Sequence, residues 1–207
     1  VLLCWLVPAL LLGGYMGGIL FAALQQKTEA ALNESAGHAQ TLTVATIQRA
    51  ITQAKDVTYD GELATAYAAY AAGKYGYSDF YRISRNYLER KYGRDPLFGF
   101  AAYFPVSDPD RLMYAVAGYN EALIFQREYQ TYALRLGEAL STRCAFAGWG
   151  ENLYLVRNLY NLRMERYGML ILLINRGQLF RPLNEAGAKW GAALDIRDAF
   201  AARKLNR

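Results

Sequence analysis

The sequence predicts an α+β fold in which an N-terminal transmembrane helix continues into a long helix that packs on an antiparallel sheet. Three observations lead to this expectation. The first 24 residues, Val1–Leu24, carry no charged side chain, a helical period persists from Gln25 to about Val57, and the pattern changes to that of strands after Pro96. We therefore expect a transmembrane helix over 1–24 and one folded domain over 25–207, since about 180 residues are scarcely enough for two cores.

The apolar segment Val1–Leu24 is long enough to cross a hydrocarbon core of about 30 Å at a rise of about 1.5 Å per residue. A secretory signal peptide is the alternative, because Ala22 and Ala23 are small residues of the kind that precede a cleavage site. The apolar run is, however, longer than the roughly 7–15 residues of a signal core. Gly14 and Gly18 form a G-x-x-x-G spacing that can bring membrane helices together. Because the chain begins without Met, we expect its natural N-terminus to lie upstream.

Helical patterns continue from residue 25 to residue 92. In the long helix 25–57, apolar residues recur at spacings of mostly three and four, at Leu32, Ala36, Ala39, Val44, Ile47, Ile51 and Ala54. A stripe of small residues on this helix is a candidate homodimer contact: Ala36, Ala39, Ala50 and Ala54. Two shorter helices are predicted within 62–92, namely Glu62–Lys74 and Ser78–Tyr92, with Ser78 as the N-cap and Gly93 as the C-terminal stop.

Strand patterns dominate the region 97–175. Leu97–Phe104 and Arg111–Ala117 are rich in aromatic and apolar residues, and the prolines and aspartates between them are typical of a turn, so a hairpin is predicted. Two further strands are predicted at Asn152–Tyr160 and Tyr167–Asn175. The second contains the run Met169–Ile174, which is apolar on both faces and should be a central strand covered on each side.

Helical segments are also predicted between and after these strands. Asn120–Leu140 has a helical period, with Asn120 as its cap. In the C-terminal segment 176–207, Asn175 or Gly177 opens a short helix that ends near Pro182. The stretch 190–207 is compatible with either strand or helix.

Composition excludes several classes of function. The formal charge is +5 and the isoelectric point is near 9.1, but the basic residues are scattered among acidic and aromatic neighbours, so we expect no nucleic-acid partner. Cys4 lies in the apolar run and Cys144 is the one other cysteine, so no disulfide is expected within the folded domain. The motifs of zinc proteases, redox dithiols, serine hydrolases and nucleotide-binding loops are absent. With His38 as the single histidine, we expect no catalytic residue, no metal site and no cofactor.

A resemblance to a known family adds to this reading. The segments Tyr81–Leu88, Ala102–Pro105 and Leu153–Leu159, together with Ile174-Asn175 followed by Leu179-Phe180, resemble the extracytoplasmic Cache-type, PAS-like sensor regions of bacterial membrane-bound sensor histidine kinases. The resemblance implies a long N-terminal helix behind an antiparallel sheet of about five strands. It also implies a domain outside the cell membrane, a small-molecule or peptide ligand, a homodimer, and an output kinase that this chain does not contain.

The strand Asn152–Tyr160 supplies the first candidate site residue. Alternation places Arg157 in a row with Leu153, Leu155 and Leu159, opposite a row formed by Tyr154, Val156, Asn158 and Tyr160. A guanidinium among leucines needs a partner, which is either a ligand carboxylate or an acidic residue such as Glu165 or Asp79. In PAS-like sensors the ligand lies against one face of the sheet, and the aromatic candidates for the pocket wall are Tyr103, Tyr114 and Trp149.

Two functions from different classes follow. The first is a sensory region that binds a small ligand or partner and passes the signal through the membrane helix, a mechanism that requires two arrangements of the long helix that the ligand binds unequally. The second is a membrane-tethered interaction or scaffold module without a small-molecule ligand.

Overall fold

The structure, a computed structural model, describes residues 2–108, 111, 113–116 and 119–190, and at 2–10, 114–116 and 119–120 it describes the backbone alone. The open prediction for 190–207 therefore lies, beyond residue 190, outside the described residues. Contacts divide the described chain into two compact units, one comprising 2–43 and 182–190 and the other 44–181. The sheet and both predicted strand pairs belong to the second unit.

Seven α-helices are present in the described chain. They are α1 (Leu2–Asp60), α2 (Glu62–Ala71), α3 (Tyr77–Tyr92), α4 (Tyr119–Ile124), α5 (Gln130–Leu140), α6 (Arg176–Leu179) and α7 (Arg181–Trp190), with a π-helical turn Phe125–Tyr129 between α4 and α5. The predicted helix 25–57 lies within α1, which ends where Gly61 adopts the left-handed conformation with φ of 69°. Glycine is the residue that favours such a helix end because it has no Cβ.

Four details of the helix predictions are wrong. The N-cap of α3 is Gly76 rather than Ser78, whereas the predicted C-terminal stop is confirmed, because Gly93 is the C-cap of α3. Asn120 lies inside α4, and the single helix predicted over Asn120–Leu140 is divided by the π-helical turn. The helix α7 was missed because Pro182 was taken as a stop, although proline is tolerated in the first turn of a helix. The cap at Asn175 is confirmed, since its Oδ1 accepts a hydrogen bond from the backbone N–H of Gln178.

Five strands form one antiparallel sheet. They are β1 (Phe98–Pro105), β2 (Met113–Val116), β3 (Cys144–Trp149), β4 (Asn152–Tyr160) and β5 (Arg166–Ile174), in the order β2-β1-β5-β4-β3. The four predicted strands share this sheet, which confirms the predicted α+β class and the strand number of about five. The bounds of β4 match the prediction, and β5 is the central strand, as its apolar run indicated. The strand β3 was missed because its residues, largely alanine, glycine and phenylalanine, show no alternation.

Helices cover both faces of the sheet, so the core has two layers. One face packs against the end of α1, α2 and α3, and its buried residues include Ala54, Leu88, Leu155 and Leu172. The other face packs against α4, the π-helical turn and α5, and its buried residues include Ala122, Ala133, Val156 and Ile171. The strand β5 contributes residues to both layers, which explains why its run Met169–Ile174 is buried on both faces.

The end of α1 is an internal part of this core. Ala50 and Ala54 are fully buried within a single chain, so these two members of the small-residue stripe are not free to contact a second copy, and that part of the dimer prediction is wrong. At the last residue of α1, the carboxylate of Asp60 accepts hydrogen bonds from Tyr87 and Lys91 of α3. Burial opposes ionisation of Asp60, but these hydrogen bonds outweigh it and hold the pKa of its carboxyl below the ordinary value. The contacts fix the end of α1 against α3.

The first part of α1 is apolar and exposed. Eight large apolar side chains between residues 11 and 24 are each more than half exposed: Leu11, Leu12, Tyr15, Met16, Ile19, Leu20, Phe21 and Leu24. Within the portion of the chain that the structure describes, no helix is both long and apolar enough to cross a membrane. The transmembrane segment 1–24 stays a prediction.

Candidate functional site

The four predicted site residues do not converge on one pocket. Tyr103 and Arg157 lie on the face of the sheet that packs against α1, α2 and α3, whereas Trp149 packs with the layer on the opposite face. Tyr114 lies in β2 opposite Ala102 of β1, and its side chain is outside the described part of the structure. The prediction that these residues line a shared pocket is wrong for the three whose side chains are described.

Tyr103 is a packing residue. Its side chain is fully buried, its hydroxyl donates a hydrogen bond of 2.9 Å to the backbone carbonyl of Tyr167, and its ring meets Phe80 edge to face at 6.2 Å between centroids. Burial raises the pKa of the Tyr103 hydroxyl well above its ordinary value, so it stays a neutral donor. The ring occupies the space that a Cβ at Gly168 would need, because that Cβ would come within 2.1 Å of Tyr103 Cε2. Tyr103 therefore joins β1 to β5.

Trp149 belongs to an aromatic cluster beside the π-helical turn. Its ring stacks on Tyr129 at 6.2 Å between centroids and 13° between planes, and it lies 5.3 Å from Tyr154 and 6.3 Å from Phe125. Gly150 makes this approach possible, since a Cβ there would lie 2.6 Å from the Tyr129 hydroxyl oxygen. Trp149 thus helps hold the π-helical turn on the sheet. Such turns occur frequently at functional sites.

Arg157 is buried, and among the described residues no carboxylate forms an ion pair with it. The residue is 8% exposed, Nη1 lies 3.5 Å from Cys144 Sγ, Nη2 lies 3.4 Å from Thr58 Oγ1, and no described group pairs with Nε. The two acidic candidates contact other residues, Asp79 through Arg82 and Glu165 through Asn161. The prediction of an ion pair from Arg157 to either carboxylate is wrong.

The surroundings of Arg157 show the influence of its charge. Burial raises the pKa of the neighbouring Tyr167 hydroxyl, and the guanidinium of Arg157 opposes this shift. The Tyr167 hydroxyl is itself buried, with no hydrogen-bond partner among the described residues. The guanidinium therefore contributes one link between β3, β4 and the end of α1 through two long hydrogen bonds, at the cost of burying a charge that no described carboxylate pairs with.

We expect Arg157→Met to leave the protein at least as stable as the wild type, and more stable by about 1 kcal/mol if the desolvation cost dominates. Methionine keeps the apolar packing of the arginine stem while removing the uncompensated charge. Guanidinium denaturation of both proteins measures the difference. The exposed Arg135 of α5 offers a matched control, because Arg135→Met should change stability little. A loss of more than about 1 kcal/mol in Arg157→Met would contradict the absence of an acidic partner.

A cavity that the sequence did not predict lies between α5 and the ends of β1 and β5. Its volume is about 210 Å³, and it is lined by Phe104, Pro105, Val106, Leu134, Glu138, Arg166 and Met169. Arg166 opens β5, Glu138 lies on the last turns of α5, and the others supply an apolar wall. Two opposite charges thus line one small apolar space.

Asn158 fixes α5 beside this cavity. Its Nδ2 donates to the backbone carbonyls of Gly137 at 2.6 Å and of Ser141 at 3.0 Å. At Gly137 the helix approaches the sheet so closely that a Cβ would lie 2.6 Å from Met169 Sδ, 3.2 Å from Asn158 Oδ1 and 3.4 Å from Arg166 Nη2. The absence of a Cβ at Gly137 therefore allows the amide and the guanidinium to meet at the helix.

Two polar atoms at this place have no partner among the described groups. They are Asn158 Oδ1, on a residue that is 1% exposed, and Arg166 Nε. Buried polar atoms are nearly always hydrogen-bonded, so an unsatisfied acceptor and an unsatisfied donor close together require an explanation.

The sequence contained two signals for the region beside this cavity. Asn158 is a polar residue in an otherwise apolar row of β4, which is the same argument that singled out Arg157 in the other row. Gly137 in the interior of a predicted helix also indicates a close backbone approach. No pattern in the sequence indicated that Glu138 and Arg166 line one cavity, because this depends on how α5 packs on the sheet.

These places combine charged, hydrogen-bonding and apolar side chains. Among the described residues, no group of three or more His, Cys, Asp or Glu side chains is arranged to hold a metal ion. Cys144 is a free thiol. No protein-family model matches the chain, and no curated protein matches it. The contacts of the side chains are therefore the basis for a functional proposal.

Proposed function

We propose that this chain is the sensory region of a membrane-bound receptor, a Cache-type, PAS-like region that lies outside the cell membrane in a two-component sensor histidine kinase. It binds a small ligand, and binding changes the position of α1. The observation that carries the proposal is the double character of α1, which is helical without a break from Leu2 to Asp60. Its early part is apolar and exposed, while its end is built into the core of the sheet.

The exposed part of α1 supports the membrane assignment. Its large apolar side chains between residues 11 and 24 remain accessible, and no charged residue occurs before Lys27. Exposing apolar surface to water costs about 25 cal/mol per Å², so a segment of this kind favours lipid or a protein partner. A homodimer through this segment, aided by Gly14 and Gly18, remains part of the proposal.

The end of α1 supports the transmission of a signal. Arg157 connects β3 and β4 to Thr58 of α1, and Asp60 connects α1 to α3. Through these hydrogen bonds, a rearrangement of the sheet can change the position of α1. A ligand can change the position of α1 only if it binds two arrangements of the domain with unequal affinity. The long contacts of Arg157 are weak enough to be exchanged between such arrangements.

A scaffold module without a small ligand is the second candidate. The observation that favours it is the separation of Tyr103, Arg157 and Trp149 on two faces of the sheet, which removes the pocket that the sequence predicted. The cavity beside Arg166 favours the receptor over the scaffold module, because it offers space for a small ligand.

Deleting residues 1–24 tests the membrane part of the proposal. We expect the full chain to sediment with membranes and the truncated chain to be soluble, with the same helix and strand content by circular dichroism. The physical reason is that the core of the second unit draws its α1 residues from the end of that helix, from Ala50 onward. A truncated chain that retains its secondary structure but aggregates would contradict the proposed boundary.

A further inference from the structure

Cys144 and Arg157 are in direct contact on the face of the sheet that packs against α1, α2 and α3. They lie opposite each other in the ladder between β3 and β4, and Nη1 of Arg157 donates to Sγ of Cys144 at 3.5 Å. The side chain of Cys144 packs beside the buried core of this face, but it is itself only partly buried. Reactive cysteines are typically found in such partly exposed, electropositive surroundings. A small reagent can therefore reach the sulfur from solvent.

The guanidinium of Arg157 is the second observation at this place, and it points to an anion. It is 8% exposed, its Nε has no hydrogen-bond partner among the described residues, and its contact from Nη2 to Thr58 Oγ1 is long at 3.4 Å. A buried positive charge is unfavourable unless an anion accepts its hydrogen bonds. In the described part of the chain no carboxylate forms an ion pair with Arg157, so its surroundings favour a negative charge that forms beside it.

Neighbouring polar groups on β5 and α1 do not supply this negative charge. Burial raises the pKa of the Tyr167 hydroxyl on β5 above its ordinary value, so this hydroxyl stays neutral, and it too has no hydrogen-bond partner among the described residues. Asp60, at the end of α1, forms its ion pair with Lys91 of α3. The remaining neighbour is the sulfur of Cys144, at which an anion can form by a chemical reaction.

We propose that Cys144 is a site of oxidation by hydrogen peroxide, and that the buried guanidinium of Arg157 accelerates the reaction and binds its product. The sulfur attacks one peroxide oxygen, an S–O bond forms as the O–O bond breaks, and the thiol proton leaves with the second oxygen as water. The sulfur loses two electrons and becomes a sulfenic acid, while the peroxide gains them and is reduced. The negative charge of the ionised product, the sulfenate, lies beside Nη1 of Arg157.

This site goes beyond the proposed sensory function. It requires no bound ligand, and its three contacting residues, Thr58, Cys144 and Arg157, all lie within the second unit. A sulfenate accepts a stronger hydrogen bond from a guanidinium than a neutral hydroxyl does. Oxidation of Cys144 should therefore weaken the contact between Arg157 and Thr58 and loosen one link to the end of α1. The oxidation can be tested whether or not the chain is a sensor.

Dimedone, which reacts with sulfenic acids, measures the oxidation on the full chain in detergent micelles. In the Cys4→Ser protein, Cys144 is the remaining thiol. With hydrogen peroxide in excess, mass spectrometry should show one dimedone adduct, at Cys144, that forms at least about tenfold faster than on free cysteine at the same pH. The same chain unfolded in guanidinium chloride should lose this advantage. A folded chain that reacts no faster than free cysteine would overturn the inference.

Matched variants, each shown to be folded by circular dichroism, test the part that Arg157 plays. Arg157→Met should lower the rate of adduct formation at least about tenfold, because the thiol remains while the neighbouring charge is removed. Arg143→Met removes the exposed arginine next to Cys144 in the sequence and should leave the rate within about twofold, because water and salt screen that charge. Thr58→Val removes the other contact of the guanidinium but keeps its charge, so the rate should not fall.

Two results with these variants would overturn the inference. One is an unchanged rate in Arg157→Met. The other is an equal loss of rate in Thr58→Val and Arg157→Met, which would mean that the thiol responds to loosened packing rather than to the charge of the guanidinium.

Discussion

Gly168→Ala should destabilise the protein by about 3 kcal/mol or more, at the upper end of the range for overpacking a core. A Cβ at this position would lie 2.1 Å from Tyr103 Cε2 and 2.6 Å from the carbonyl oxygen of Phe104. The ring has no free space to enter, because it is fully buried and hydrogen-bonded to Tyr167. The backbone is also fixed, since Gly168 pairs with Pro105 in the ladder between β1 and β5. Guanidinium denaturation followed by tryptophan fluorescence measures the loss.

Gly99→Ala is the matched control for this substitution. Gly99 lies in β1, the strand that pairs with β5, but it is exposed, and its Cβ would meet Leu173 Cδ2 at an ordinary 3.5 Å. Its effect on the denaturation midpoint should be small. Combining Gly168→Ala with Tyr103→Leu should cost less than the sum of the two single changes, because the smaller side chain frees the space. A Gly168→Ala protein within about 0.5 kcal/mol of the wild type would contradict the packing described for Tyr103.

Phe125→Ala should cost about 3–5 kcal/mol, the usual range for removing a buried phenylalanine. Phe125 opens the π-helical turn and is 1% exposed. Its ring contacts a cluster of aromatic rings on the sheet and the turn: Phe100, Phe104, Tyr129, Trp149 and Tyr154. Without it, the layer formed by α4, the π-helical turn and α5 should lose its main apolar contact with the sheet.

Thermal unfolding and near-ultraviolet circular dichroism measure the Phe125 effect. The control is Tyr132→Ala on α5, an aromatic residue that is 52% exposed and should tolerate the change. If the helices of this layer are bound mainly through other contacts, Phe125→Ala will cost no more than Tyr132→Ala, and the described core of this face will be incorrect.

Local pattern was sufficient to predict the strands that have a strong period. The bounds of β4 follow from alternation of large apolar residues, and the central position of β5 follows from the run Met169–Ile174. The strand β3 was not predictable because it lies at the sheet edge and is only partly buried, so its small residues are not selected for a period.

The candidate site was predicted less well, for a different reason. Alternation within one strand fixed which residues of β4 share a face, and both polar members of its rows, Arg157 and Asn158, are indeed buried. Alternation does not relate the faces of different strands, which depend on register. For this reason the sequence did not indicate that Tyr103 and Trp149 lie on opposite faces of the sheet. The meeting of Glu138 and Arg166 depends on the packing of α5, which Gly137 and Asn158 determine.

The central claim is that binding of a small molecule to the sheet domain moves the end of α1. Spin labels at Lys55→Cys, on α1, and Leu162→Cys, in the exposed turn between β4 and β5, report the distance between them when Cys4 and Cys144 are replaced by serine. Serine at position 144 keeps a hydrogen-bond acceptor for Arg157 Nη1. The measurement is made by pulsed electron resonance on the chain in lipid nanodiscs, with a panel of amino acids, dicarboxylates, sugars and nucleosides. The account predicts that at least one compound that raises the melting temperature also shifts the distance distribution. A distribution that is the same with every compound that binds, or a panel in which none binds, would contradict it and favour the scaffold module.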